Sequence, residues 1–241
     1  MTPEGLKARL DDLARQGRQI DLWWRDDDAI APGPALDRLL ALAGQHGVPL
    51  TIAAIPAHAG QALADRLAQA QDIAVAVHGW DHANHAPPDE KKQELGAHRP
   101  VAQILDDLGR GLARLAAQHG PRFVPVLVPP WNRISPDLVP YLPGLGFRAL
   151  SVYGPPKPAA LPVINTHLDV MAWRGLTKGR PPADMLAELD GLLAQPISGP
   201  LGVLSHHLVH DEAAWQSLSA LLSVTCGHPA CHWRALPDLL P

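Results

Sequence analysis

Short apolar runs alternate with amphipathic segments along this chain, and the alternation constrains the fold more than any other feature of the sequence. The runs are rich in β-branched residues, as in Ile-Ala-Val-Ala-Val at residues 73–77. Near-continuous apolar runs of this length are typical of strands buried on both faces of a parallel sheet. The predicted strands span residues 19–24, 48–55, 73–77, 123–128, 147–152, 161–164 and 201–204.

Segments with apolar residues at helical spacing lie between these runs. The predicted helices span residues 3–16, 34–45, 61–70, 101–118, 135–144, 182–193 and 212–222. Strands that alternate with helices imply a parallel sheet with right-handed crossovers. About seven such units predict a closed or nearly closed barrel. We therefore expect an α/β fold, a distorted (β/α) barrel of about seven parallel strands, in one domain that spans residues 1–241.

Charge and hydropathy exclude several classes of protein. The formal net charge is -4, from 20 basic and 24 acidic residues, so no basic footprint for nucleic acid is present. No apolar run approaches the length of a membrane span, and the polar N-terminus lacks a signal-peptide core. We expect a cytoplasmic protein without nucleic-acid or membrane partners, and the sequence does not indicate its oligomeric state.

The two cysteines, Cys226 and Cys231, make no disulfide framework. Together with His228 and His232 they give the C-terminal tail four potential zinc ligands. The Cys-x4-Cys spacing falls outside that of the usual tight zinc knuckle, so we expect an ordinary loop there.

A His-x-x-x-His pair, His78 and His82, directly follows the third predicted strand. Residues four apart share a face if the segment turns helically, so both imidazoles can then converge on one ion. Neutral imidazole is the commonest protein metal ligand, and a carboxylate usually completes a hydrolytic zinc site. Asp26, Asp27 and Asp28, after the first predicted strand, are the candidates for that carboxylate. A polar surface loop is the alternative for the histidines alone.

Four polar clusters follow predicted strands in the same way. They lie at residues 25–28, 78–85, 129–133 and 205–207, after the first, third, fourth and seventh strands. The carboxyl ends of barrel strands form the catalytic face, so we expect the clusters to meet at one mouth of the barrel. Buried acids and imidazoles are costly unless they are paired or bind a metal. By contrast, the charged insertion at residues 87–100 is expected to be a solvated excursion.

The order of these motifs resembles the polysaccharide deacetylases, metal-dependent carbohydrate esterases that remove N- or O-acetyl groups. The resemblance covers residues 20–210 and rests on Asp-Asp, His-x-x-x-His, Pro-Pro-Trp and Leu-x-His in this order. It implies a distorted (β/α) barrel and one divalent ion held by one Asp and two His. Zinc is the expected ion, with cobalt or nickel as alternatives. The expected partner is a carbohydrate or small acylated substrate.

The resemblance also implies roles for the acidic cluster. The family's Thr-Phe-Asp-Asp-Gly motif lies over residues 25–29, which makes Asp27 the general base and Asp28 a metal ligand. A slip of one residue would make Asp26 the base and Asp27 the ligand. We prefer the first assignment because strand alternation puts Arg25 and Asp27 on one face. An arginine there would keep the carboxylate ionised and oriented.

His78 and His82 lie where the family has its two metal imidazoles. His85 is a spare histidine for which a surface role, or a role in supporting the metal ligands, is the alternative to ligation. Asp81, inside the motif, either orients a ligand imidazole or is a plain loop acid.

The segment Pro129-Pro130-Trp131 matches the family's Arg-x-Pro-aromatic motif, with Val128 in the place of the arginine. By resemblance, the backbone N–H of Trp131 is an oxyanion donor. Arg25 or Arg133 is the expected substitute for the missing arginine.

The last two motifs concern the general acid. Leu204-Ser205-His206 fits Leu-x-His, which makes His206 the general acid. Residues 169–173 resemble the family's Asp-x-x-Asp-Trp, but Ala172 replaces the second acid. The carboxylate partner of the histidine must therefore come from Asp169 or elsewhere. Trp173 lines the acetyl pocket or packs in the core.

These observations predict a metal-dependent hydrolase that removes acetyl groups from a carbohydrate. One alternative is a deacylase that acts on a small non-glycan amide. Another is a non-catalytic metal- or sugar-binding relative, which the changes at Val128 and Ala172 motivate. A metal-free glycosidase is disfavoured, because adjacent aspartates do not by themselves give the separation that its two carboxylates need.

Overall fold

A parallel sheet forms the centre of the molecule in the computed structural model, which describes residues 1–174, 178–196 and 199–241. The strands are β1 (Ile20–Ala29), β2 (Leu50–Ala54), β3 (Ile73–His78), β4 (Phe123–Val128), β5 (Ala149–Leu150), β6 (Thr166–Asp169), β7 (Met171–Ala172), β8 (Lys178–Gly179), β9 (Leu201–Ser205) and β10 (Cys231–Trp233). Their order in the sheet is β5-β4-β3-β2-β1-β9-β6, with β10 beside the start of β1, and all these pairs are parallel. The strands β7 and β8 form a separate antiparallel pair.

Backbone contacts join the two edges of this sheet. Leu150 at the end of β5 forms a parallel bridge with Val163, and Tyr153 forms one with Thr166 at the start of β6. The Leu150 N–H also donates to the carbonyl of Pro162 at 2.9 Å. The sheet thus curls round on itself, and the predicted distorted (β/α) barrel is confirmed.

Helices cover the outside of the sheet. They are α1 (Pro3–Arg15), α2 (Pro34–His46), α3 (Gln61–Ala68), α4 (Val101–His119), α5 (Leu142–Leu145), α6 (Pro182–Leu193) and α7 (Glu212–Thr225). The helices α1, α2 and α6 each begin with a proline, which suits the first turn because its N–H needs no partner there. Helix α2 ends at His46, and the following Gly47 caps it with a left-handed φ of 61°. None of the helices in the described ranges is long and apolar enough to cross a membrane.

Side chains alternate between two apolar clusters along the strands. Trp24 belongs to the larger cluster, together with the apolar faces of the helices. Trp23 belongs to a smaller cluster that fills the barrel interior, where most of the neighbouring side chains are alanine or valine. The Trp23 indole N–H donates to the Asn165 carbonyl at 3.1 Å, so this ring is fixed at the centre of the barrel. By the same alternation, Arg25 and Asp27 follow Trp23 on the interior face.

The structure corrects several predicted boundaries. Strand β1 does not end at residue 24 but continues to Ala29, so the acidic cluster is part of the strand. The sixth strand is not at residues 161–164 but at Thr166–Asp169, because Pro162 lacks an N–H and only an isolated bridge from Val163 to Leu150 forms there. The tail expected to be a loop also contains β10, which pairs with β1.

The insertion at residues 87–100 is not simply a solvated excursion. Glu94 and Leu95 are each only 1% exposed, and Leu95 forms a parallel bridge with Ile134. The middle of the insertion is therefore anchored to the segment that follows β4.

Candidate metal and catalytic site

The end of β1 supplies two carboxylates to the barrel mouth. The register of β1 against β2 shifts between Asp26 and Ala29, and Asp28 has a left-handed φ of 76°. In a regular strand, neighbouring side chains would point to opposite faces. The irregularity lets both Asp27 and Asp28 line one cavity.

The end of β3 supplies two imidazoles to the same cavity. His78 is the last residue of the strand, and the chain then turns through Gly79 and His82, whose φ values are 60° and 59°. The segment is therefore not the helical turn that the spacing suggested. The left-handed residues instead bring the two rings to a centroid separation of 5.2 Å.

Asp28, His78 and His82 form the one candidate metal-binding group found within the described ranges. Their ligand atoms all lie within 4.8 Å of one another. The Nε2 atoms of His78 and His82 lie 2.9 and 3.2 Å from Oδ1 of Asp28. Burial alone would raise the pKa of Asp28, but the two histidines beside it lower this pKa well below its usual range.

The environment of His78 suits a metal ligand. Its Nδ1 lies 3.0 Å from the Val128 carbonyl, so Nδ1–H donates there and Nε2 faces Asp28. In neutral imidazole that Nε2 carries a lone pair, so a nitrogen lone pair and a carboxylate oxygen of Asp28 face each other. A proton or a cation must lie between them. Two imidazole nitrogens and one carboxylate oxygen are a donor set of hydrolytic zinc sites, and these residues fit such an ion.

Arg25 holds Asp27 at the cavity floor. Its Nε and Nη2 donate to the two carboxylate oxygens at 2.8 and 2.9 Å, and the arginine is fully buried. Arg25 also donates to Ser151 Oγ at 2.6 Å and to Asn132 Oδ1 at 2.7 Å. A bidentate pair of this kind fixes the orientation of a carboxylate.

Asp26 points away from the cavity. It is fully buried and accepts hydrogen bonds from Ser205 Oγ at 2.6 Å, from the His207 N–H at 3.0 Å and from the His207 ring. Burial alone would raise the pKa of Asp26, but His207 lowers this pKa below its usual value. The structure thus brings Asp27 and Asp28 to the mouth and leaves Asp26 in a buried pair.

His206 and Asp169 lie side by side at the ends of β9 and β6. The Nδ1 of His206 is 4.0 Å from Oδ1 of Asp169, which is too long for a hydrogen bond. Asp169 accepts from the Trp173 indole at 2.7 Å and from the Met171 N–H at 2.9 Å, and burial raises its pKa. The half-exposed Trp173 ring packs edge-on against His206 at 4.7 Å. Asp169 is therefore the carboxylate beside the histidine, despite Ala172.

The loop after β4 forms another wall of the cavity. Trp131 and Asn132 have left-handed φ values of 55° and 56°, and the Trp131 ring lies 4.3 Å from that of His82. No acceptor for the Trp131 N–H is found among the described residues. Arg133 lines the cavity but donates to the Lys92 carbonyl at 2.7 Å, so Arg25 is the arginine that contacts Asp27.

The remaining motif residues have loop roles. Asp81 accepts from the Ala83 N–H at 3.0 Å, as a turn acid does, and no contact with a ligand imidazole is found in the described part of the chain. His85 does not belong to the metal-binding group.

Glu94 is a site residue that the sequence did not indicate. Its two carboxylate oxygens accept from the N–H groups of Trp80 at 2.7 Å, Asp81 at 3.2 Å and His82 at 3.2 Å. No motif marks this acid, because it lies in a stretch of charged residues.

A cavity of about 500 Å³ lies at the carboxyl ends of the strands. The predicted site residues that line it are Asp27, Asp28, His78, His82, Trp131 and His206. Arg25 lies directly behind Asp27. The molecule is thus a (β/α) barrel with a His-His-Asp group at the mouth formed by the carboxyl ends of its strands.

Similar solved structures identify the family whose fold this chain has. A protein from Mycobacterium smegmatis described as a polysaccharide deacetylase is similar with a TM-score of 0.68 and 17% identity, over 92% of this chain and 89% of that one. A family 4 carbohydrate esterase from Streptomyces lividans, in complex with acetate, has a TM-score of 0.59 and 15% identity, over 88% and 90%. A family 4 acetyl xylan esterase from Clostridium thermocellum, in complex with a cobalt ion, has a TM-score of 0.59 and 14% identity, over 91% and 89%.

No family model and no curated protein matches this sequence. The structural similarity nevertheless covers about nine-tenths of the chain in each of these comparisons. The chain therefore has the fold of the polysaccharide deacetylases and family 4 carbohydrate esterases, and the resemblance indicated by the motif order is confirmed for the fold.

Proposed function

We propose that this protein is a metal-dependent deacetylase that hydrolyses N- or O-linked acetyl groups on a carbohydrate. The observation that carries the proposal is the convergence of a metal-binding group, a bidentately held carboxylate and a histidine at one cavity. The esterase and deacetylase structures with the same fold support the reaction class. The cytoplasmic location stays a prediction from the sequence.

We propose that one divalent ion is held by Asp28, His78 and His82. Zinc is the proposed ion, and cobalt and nickel are the alternatives. When bound there, such an ion polarises the acyl carbonyl and makes water a stronger acid. The cobalt ion in the acetyl xylan esterase structure supports a divalent ion but does not select zinc.

Asp27 is the proposed general base. Its carboxylate lines the cavity beside Asp28, and Arg25 holds both of its oxygens in one plane. Each carboxylate oxygen has further lone pairs beyond those that Arg25 uses. Asp27 can therefore take the proton of the attacking water without losing its orientation.

His206 is the proposed general acid, and the Trp131 N–H is the proposed oxyanion donor. His206 protonates the leaving amine, or the alkoxide if the substrate is an ester. Asp169 lies beside His206, with its Oδ1 4.0 Å from Nδ1 of the imidazole. The Trp131 amide stabilises negative charge on the carbonyl oxygen as water adds.

The defining experiment combines elemental analysis with an acetate-release assay on purified protein. The protein is stripped with a chelator and reloaded with zinc, cobalt or nickel, and then offered chito-oligosaccharides and a panel of small acetamides. We expect stoichiometric metal and acetate release from the oligosaccharides. Release only from the small acetamides would instead indicate a deacylase of non-glycan amides. Stoichiometric metal with no hydrolysis in any reloaded form would support a non-catalytic binding protein.

A further inference from the structure

We propose that Glu94 is a positioning residue for the candidate metal site. Its carboxylate shapes the loop that carries His82 and thereby sets the affinity for the metal. This inference rests on the proposed metal site, and it assigns a role to a residue outside the motifs.

The contacts of Glu94 define the arrangement. Its side chain is buried, with Oε1 accepting from the N–H groups of Trp80 and Asp81 at 2.7 and 3.2 Å. Oε2 accepts from the N–H of His82 at 3.2 Å. Three successive amides that converge on one anion form a backbone nest, and each hydrogen bond is strengthened by the charge. The loop is thus built around this carboxylate.

Gly79 allows the Glu94 carboxylate to approach the backbone of this loop closely. A Cβ at Gly79 would lie 2.6 Å from Cγ of Pro130 and closer still to Oε2 of Glu94. Its φ of +60° is also a conformation that other residues rarely adopt. Any side chain at this position would displace either the carboxylate or the loop.

Glu94 is itself held in place by the segment that follows β4. The adjacent Leu95 is buried and forms a parallel bridge with Ile134, and its carbonyl accepts from the Ser135 N–H at 2.7 Å. From the other side, the Arg110 guanidinium lies over the Trp80 ring at 4.4 Å. The nest therefore connects the loop that carries His82 to the segment that follows β4.

The two metal histidines are supported differently. The His78 ring is fixed by the Val128 carbonyl, and no hydrogen bond between His78 and Glu94 is found in the described part of the chain. His82 has a left-handed φ of 59°, and its own N–H is one of the three bonds to Glu94. Such a conformation persists only where the surroundings enforce it. Loss of Glu94 should therefore release His82 and leave His78 in place.

The test compares Glu94→Ala and Glu94→Gln with Glu90→Gln, a matched control in the same insertion. Glu90 is exposed and contacts only His98 among the described ion pairs. The measurements are the zinc dissociation constant by chelator competition, the visible absorption of the cobalt form and the unfolding temperature of the metal-free protein.

We expect Glu94→Ala to weaken zinc binding by about 10- to 100-fold, the range typical when the support of a metal ligand is removed. The absorption bands of its cobalt form should shift. Glu94→Gln should fall between Glu94→Ala and the parent, because its one carbonyl oxygen can still accept from Trp80 and Asp81. Glu90→Gln should bind like the parent. Weaker zinc binding with an unchanged cobalt spectrum in both Glu94 variants would overturn the positional role, because it would indicate a loss of charge without movement of His82.

Unchanged zinc affinity and an unchanged cobalt spectrum in a folded Glu94→Ala protein would overturn the inference and leave the proposed function standing. If Glu94→Ala does not fold, the same result in Glu94→Gln overturns it. Absence of zinc binding by the parent protein would overturn the proposed metal site and this inference with it.

Discussion

Replacement of Arg25 by methionine should both destabilise the fold and disable the proposed base. Arg25 is fully buried and makes four hydrogen bonds, two to Asp27 at 2.8 and 2.9 Å and one each to Ser151 and Asn132. Methionine keeps most of the apolar volume but none of the donors. The variant leaves Asp27, which is 1% exposed, with an unpaired charge in the barrel interior.

The expected loss of stability follows from that unpaired charge. Breaking a buried ion pair from one side costs about 3–5 kcal/mol of unfolding free energy. For a chain of this length each kcal/mol lowers the unfolding temperature by about 2–4 °C, so Arg25→Met should lower it by about 6–20 °C. Turnover should fall by at least about 100-fold, because the base loses its orientation.

The assay is thermal and urea unfolding of the metal-free protein, with acetate release from the metal-loaded form. Arg133→Met is the matched control, since Arg133 also lines the cavity but donates to the Lys92 carbonyl. Arg133→Met should lower the unfolding free energy by no more than about 1.5 kcal/mol, as expected for the loss of one ordinary hydrogen bond.

The double variant Arg25→Met with Asp27→Asn tests the reason for the loss. A neutral amide is less costly to bury than an unpaired carboxylate. The double variant should therefore regain at least about 2–4 °C over Arg25→Met, which corresponds to about 1 kcal/mol, while its acetate release falls further because the base itself is removed. Strictly additive losses in the double variant would show that the unpaired charge of Asp27 is not the cause of the lost stability. So would an Arg25→Met protein as stable as the Arg133→Met control.

Three further predictions concern the metal, the general acid and the packing of the barrel. Asp27→Asn should keep its metal and lose turnover, whereas His78→Ala and His82→Ala should lose metal by elemental analysis; equal metal loss in all three would contradict the assigned roles. His206→Gln should lower kcat by about 10²- to 10⁴-fold on N-acetyl substrates, and much less on p-nitrophenyl acetate, whose leaving group needs no proton; an equal loss on both would argue against a general acid. Gly202→Ala should destabilise the protein by about 1–3 kcal/mol, because its Cβ would lie 2.5 Å from a buried indole nitrogen; an unchanged urea midpoint would show that the barrel interior can relax.

Much of the barrel could be predicted because its strands are apolar on both faces. The stretches that form β2 and β3 are short, rich in β-branched residues and almost completely buried. Their apolar pattern therefore predicts buried strands of a parallel sheet. Strand alternation also placed Arg25 and Asp27 on one face, and the structure shows them in a bidentate pair.

The end of β1 was harder to predict. Its last residues include Arg25 and the three aspartates, and charged residues are depleted in strands, so the pattern suggested a loop. These residues are strand here because Arg25 and Asp27 pair in the barrel interior, while Asp26 pairs with His207. The left-handed backbone of Asp28 is likewise a consequence of tertiary structure.

Glu94 and β10 show a second limit of sequence patterns. Glu94 sits among charged residues, and only the amides that converge on its carboxylate distinguish it from a solvated acid. The three residues of β10 are too few for a periodicity, and they become a strand only because β1 offers an open edge there. Both features depend on contacts between distant segments.

The most direct test of the central claim is anomalous diffraction at the zinc edge from crystals of the zinc-loaded protein. We expect one strong peak at the barrel mouth, about 2.0–2.2 Å from Asp28 Oδ, His78 Nε2 and His82 Nε2. A peak at the tail around Cys226 and Cys231 instead, or none near these three side chains, would contradict this claim.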